Sequence, residues 1–95
     1  MEGKRLPQVG DKIRFRKGVT DADDPAIKMA GFSGVIVEVY VVTRGRTMYG
    51  IDFDAETIAT IERRYGKRWG DVESYTTWAD DFDVIDPVAT MEVQE

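Results

Sequence analysis

From Val35 to Val42 the chain reads Val-Ile-Val-Glu-Val-Tyr-Val-Val, and seven of these eight residues are β-branched or aromatic. Such side chains are stiff at χ1 and pack well on a pleated surface, so the run predicts a strand. Thr43-Arg44-Gly45-Arg46 follows as a hairpin turn, with Gly45 free to take positive φ. Thr47 to Phe53 then returns with Tyr49, Ile51 and Phe53 on one apolar face. This hairpin commits the chain to a mainly β fold. Period-two reading puts Val35, Val37, Val39 and Val41 in the interior. Ile36, Tyr40 and Val42 then face outward, where a helix, a long loop or another chain must cover them.

The remaining punctuation agrees with a small β protein. Val9-Gly10-Asp11 turns into Lys12-Ile13-Arg14-Phe15-Arg16, which alternates strictly and reads as a half-buried strand. Lys17-Gly18 ends it. Residues 19–33 form a long loop in which Ile27, Met29 and Phe32 predict self-packing. Asp54 is an N-cap for a helix over about 55–65, with Ile58, Ile61 and Tyr65 along one side. Glu56 early and Arg63 and Arg64 late suit the helix macrodipole, and Gly66 suits the position after the helix. Lys67 to Ser74 leads past Trp69 to a strand at Tyr75–Ala79, a single turn at Asp80-Asp81-Phe82, and a last strand at Asp83–Ile85 stopped by Asp86-Pro87. The domain spans 9–87, with tails at 1–8 and 88–95.

This order of a strand, a long loop, three further strands with one inserted helix, a single turn and a short strand resembles the five-stranded SH3-like barrel over residues 9–86. Gly10-Asp11-Lys12, Asp21-Ala22-Asp23-Asp24-Pro25 and Phe32-Ser33-Gly34-Val35 resemble small bacterial SH3-like barrel proteins of uncharacterised function. The resemblance implies a fold and no activity, because one barrel hosts many functions.

Composition removes whole classes of chemistry. Among 95 residues there is no His and no Cys, which excludes Ser-His-Asp and Cys-His catalysis and an ordinary zinc site. No apolar run approaches the ~20 residues of a membrane helix. Met1–Val9 has no apolar core of a secretory signal, so the cytoplasm is the expected compartment. The net charge is −5 and unevenly spread: residues 1–17 carry +4 and residues 71–95 carry −8. Side-by-side terminal strands would bring Lys12, Arg14 and Arg16 near Asp81, Asp83 and Asp86. Such pairing leaves no basic stripe, so DNA is excluded as a partner and RNA is disfavoured. The remaining basic group, Arg63, Arg64, Lys67 and Arg68, carries the RNA or nucleotide alternative and reads first as a solvated helix end.

Two further sets remain. Asp21, Asp23 and Asp24 offer hard oxygen ligands, but aspartates also nucleate turns by bonding their own backbone, and the turn is preferred. A carboxylate-only metal-binding or hydrolytic site would draw on Asp23, Asp24 and Asp83. Tyr40, Tyr49, Trp69, Tyr75 and Trp78 are aromatic residues of the kind enriched at recognition surfaces. The reading is a noncatalytic binding module without cofactor, contacting a protein partner or a second copy of itself through some of these five.

Overall fold

A computed structural model describes residues 6–42, 46–69 and 72–88. The alternating segment near the N-terminus forms β1 (Lys12–Phe15), the valine-rich run β2 (Ser33–Val41) and its return β3 (Thr47–Phe53). Helix α1 (Ala55–Arg64) and a short helical segment α2 (Gly66–Trp69) lead to β4 (Ser74–Trp78), and a 3₁₀ turn (Ala79–Asp81) precedes β5 (Phe82–Asp86). The strands make one antiparallel sheet in the order β4-β3-β2-β1-β5. The sheet is not closed: β4 pairs only with β3 and β5 only with β1. Thr43, Arg44 and Gly45 of the expected hairpin turn, Gly70 and Asp71, and both chain ends fall outside the described residues.

The sheet curls strongly. Adjacent strands lie ~4.8 Å apart, so in a flat sheet β3 and β5 would be separated by about three such spacings. Yet the Tyr49 and Phe82 rings meet at 5.6 Å, and Phe15 of β1 lies 6.1 Å from both Phe53 of β3 and Tyr75 of β4. The curl encloses a core of Ile13, Phe15, Ile36, Tyr49, Ile51, Phe53 and Phe82. The long loop adds Ile27, Met29 and Phe32, as the sequence predicts. Aspartate turns shape that loop: Asp21 Oδ2 accepts from Asp23 N at 3.2 Å and Asp24 Oδ1 from Ala26 N at 3.1 Å.

The interior assignment of the valines is overturned. Ile36 is fully buried, whereas Val37, Val39 and Val41 are exposed, Val41 to 77%. The register explains it. Ile36 faces Ile51, but Glu38 faces Gly50, so Val37 is an extra residue in β2. A bulge of this kind shifts the alternation by one. Gly34 and Ile36 sit on the core face before it; Val39 and Val41 lie opposite Tyr49 and Thr47 on that same face after it. Val39, across from the buried Tyr49, is still 40% exposed, and Val41 lies near the end of the strand.

Helix α1 also differs from expectation. Ile61 belongs to the core, with Ile58 and Tyr65 packed against it, so α1 closes the core instead of covering the outside of β2. Ser33 and Gly34, part of the turn-like motif in the resemblance, are strand residues. A Cβ on Gly34 would lie 2.2 Å from the Asp52 carbonyl oxygen, and only glycine permits that approach.

Both ends of the domain converge on Asp11, which is fully buried. Its Oδ2 accepts from Gln8 N at 2.9 Å and its Oδ1 from Val88 N at 2.8 Å. Two residues assigned to tails are thus bonded into the fold.

Asp54 caps α1 by accepting from Thr57 N at 2.8 Å, and Ser33 Oγ donates to its other oxygen. Burial opposes its charge, but the hydrogen bonds from Ser33 and Thr57 outweigh it and hold the carboxyl below the usual aspartate range. A depressed folded value means that the capping contribution is present above the unfolded value and is lost as pH falls through the folded one. Asp54→Ala should cost about 1 kcal/mol. Asp54→Asn should keep most of the cap yet flatten the acid side of the stability curve. Urea unfolding across the acid range checks this; an unchanged acid limb in Asp54→Asn would remove Asp54 as its cause.

Candidate functional site

Because directly opposed residues of an antiparallel pair share a face, the register sorts the five aromatic candidates. Val39, Tyr49 and Thr77 make one inward row, and Ile36, Ile51 and Tyr75 another. Glu38, Gly50 and Thr76 make an outward row, and Tyr40, Met48 and Trp78 the next. Tyr49 is accordingly buried against Phe82. Burial, and then the charge of Asp11, raise the Tyr49 pKa. Trp69 packs on Phe32, Phe53, Tyr65 and Tyr75 at 5.9–6.4 Å and seals the end of the core. Tyr75 is half-buried between Phe15, Phe53 and Trp69. Its hydroxyl donates to Asp21 Oδ1 at 3.0 Å and accepts from Ala22 N at 3.2 Å, tying β4 to the long loop. Burial first, and the bond to Asp21, push its pKa up.

Tyr40 and Trp78 are left together on the outward face. Tyr40 is 40% exposed. Its ring leans over Gly50: a Cβ placed on Gly50 would meet Tyr40 Cε2 at 3.6 Å. Its hydroxyl donates to Glu38 Oε1. That hydrogen bond, with desolvation and the Glu38 charge behind it, raises the phenol pKa, so the group stays a neutral donor at neutral pH. Trp78 is half-buried, and the Arg46 guanidinium carbon sits 3.9 Å from its ring centroid. A guanidinium over an indole holds both planes in place. The outcome is a shallow surface of one phenol, one thioether and one cation-capped indole. It offers stacking area and a cation at its rim.

No protein-family model, curated protein or solved structure matches the chain.

The carboxylates are engaged elsewhere. Arg16 contacts Asp83 Oδ1 through Nε and Nη2, both at 2.9 Å, and donates to the Asp80 carbonyl at 3.1 Å. Lys12 lies opposite Asp86 and Arg14 opposite Asp83 in the β1–β5 register. The terminal strands therefore bring the cations and acids together as the sequence predicts. Asp24 takes two bonds from Arg68, at 2.7 and 3.1 Å. These bonds, led by the Arg68 side chain, lower its pKa. Asp21 serves Tyr75 and the Asp23 amide, and Asp81 accepts from Thr77 Oγ1. Among the described residues no three acidic side chains gather closely enough to hold a metal ion. No described helix is long and apolar enough to cross a membrane.

Sequence reasoning missed Arg46, Met48 and Gly50 as parts of the outward surface. The signal was present: in a strand whose core face is Tyr49, Ile51 and Phe53, the even-numbered residues must line the other side.

The inward placement of Tyr75 has a measurable consequence. Tyr75→Phe should lose about 1 kcal/mol by unpairing Asp21 Oδ1 and Ala22 N, while leaving the Tyr40–Trp78 surface intact. Thermal unfolding reads the first effect, and unchanged amide shifts at Tyr40, Met48 and Trp78 read the second.

Proposed function

We propose that this chain is a noncatalytic binding module built on an SH3-like barrel, and that it engages a protein partner or a second copy through the outward surface of β2, β3 and β4. The SH3-like reading is supported by the strand order, the long loop after β1, the 3₁₀ turn before the last strand and the pairing of the terminal strands. It keeps the resemblance to small bacterial proteins of that type and a cytoplasmic setting.

The observation that carries the function is the outward row Tyr40–Met48–Trp78, with Arg46 stacked on its edge. Aromatic residues and arginine concentrate binding energy because they bury large rigid areas at little conformational cost. Tyr40 is 40% exposed, and Val37, at the bulge two residues after the outward-facing Val35, is exposed to 43%. Contiguous apolar surface on a small protein is characteristic of contact sites. The engaged state of Asp24 and Asp83 leaves the carboxylate-only enzyme with little support.

Tyr40→Glu and Trp78→Glu test the reading. Both side chains lie outside the core cluster, so each variant should fold with a melting temperature close to the parent's. Light scattering and affinity capture should show a complex, with itself or with a partner, that either substitution weakens by more than tenfold. Folded variants that bind as the parent does would place the contact elsewhere. Variants that unfold would make these aromatics part of the core.

A further inference from the structure

A cleft of about 520 Å³ runs between α1 and the chain that links the long loop to β2. Arg14 lines it from β1, Arg63 and Arg64 from the last turn of α1, and Gly31 from the long loop. All three arginines are exposed. Other arginines of the fold are occupied: Arg16 by Asp83, Arg68 by Asp24, and Arg46 by the Trp78 ring. Among the described residues none of the three cleft arginines makes an ion pair. Arg14 is opposite Asp83 in the sheet, but Asp83 is held by Arg16. Thr60 Oγ1, itself bonded to the Glu56 carbonyl at 3.0 Å, accepts from Arg63 Nη2 at 3.4 Å and steadies that side chain.

Three arginines line one concavity of a chain whose net charge is −5. Glu56 also lines the cleft and offsets one of them, leaving two net positive charges. A helix C-terminus favours cations, which explains Arg63 and Arg64 singly. It does not explain Arg14, which comes from a strand. The N-terminus of α1 is closed by its own Asp54, so an anion would be held by side chains and not by the helix end.

We propose that this cleft binds a small phosphomonoester. Such a group carries close to two negative charges at neutral pH, which matches the lining. Guanidinium forks match phosphate oxygens in a bidentate geometry. The volume falls within the range of small-molecule sites, about 300–1,000 Å³. A polynucleotide is a poorer match, because Glu56 stands in the lining and the chain as a whole carries a net charge of −5. The site shares no residue with the Tyr40–Trp78 surface, so the two readings stand or fall separately.

Amide NMR of the full chain, titrated with inorganic phosphate and with phosphoserine against chloride at matched ionic strength, tests the proposal. Saturable shifts confined to Arg14, residues 30–33 and the 57–64 face of α1 are expected, with phosphoserine binding at least as well as phosphate. Arg14→Gln and Arg63→Gln should each weaken binding about tenfold. Arg63→Lys, which keeps the charge but loses the fork, should weaken it less, and Arg16→Gln should leave it unchanged. Absence of saturation, shifts spread over all surface cations, or an equal loss in Arg16→Gln would overturn it. So would single-stranded RNA binding there more tightly than phosphoserine with a steep salt dependence, since the ligand would then be a polymer backbone.

Discussion

A fully buried acidic side chain, Asp11, holds both ends of the domain to its centre. Buried polar groups are costly unless paired, and here the pairing is with the backbone amides of Gln8 and Val88. The Asp11 backbone is tied as well: its N–H reaches the Gln8 carbonyl and its carbonyl accepts from Ile36 N. One residue thereby joins the entering chain, the leaving chain and the middle of β2. Beside this anchor β1 pairs with β2 on one side and β5 on the other. The sheet curls far enough for Tyr49 to meet Phe82 across strands that are not neighbours in it.

The division of aromatic side chains follows from that curl. A curved sheet has a concave side small enough to be filled by Phe15, Phe53, Phe82, Tyr49 and the loop residues. Tyr75 and Trp69 finish its rim, and Tyr75 spends its hydroxyl on the loop aspartate. Tyr40 and Trp78 are on the convex side, where no element of the described chain continues the packing. Polar satisfaction is complete inside: among the described residues no buried side-chain nitrogen or oxygen lacks a partner. The convex surface and the cleft arginines, which make no ion pair among the described residues, are therefore places where interaction capacity is left over.

Much of this was legible from residue order. Lys12–Arg16 alternates cleanly because one face is buried and the other is not, and its charges meet those of β5 as antiparallel pairing requires. Asp54 announced the helix because a side-chain acceptor is what the first free amides need. Ile27, Met29 and Phe32 marked a loop with its own core contact. The phase of β2 was not legible. Valine at every odd position reads the same whether or not an extra residue breaks the ladder, and the break depends on the partner strand. Asp11 was invisible for a related reason. Next to Gly10 it reads as turn chemistry, and its burial depends on Val88, far along the chain. The outward row needed the register of three strands at once, which no single segment contains.

The extra residue at Val37 divides β2 into two parts with different histories open to them. Before it, Gly34 and Ile36 are bound to the core and to a backbone approach that tolerates no side chain. After it, Val39 and Val41 are exposed although Tyr49 beside them is in the core. Sequence drift in the distal half can therefore remodel what the convex surface displays without being filtered through the stability of the core. A single-codon deletion at this position would restore an unbroken ladder with Glu38 still opposite Gly50 and Tyr40 still opposite Met48, so the displayed face would outlast the loss of the extra residue.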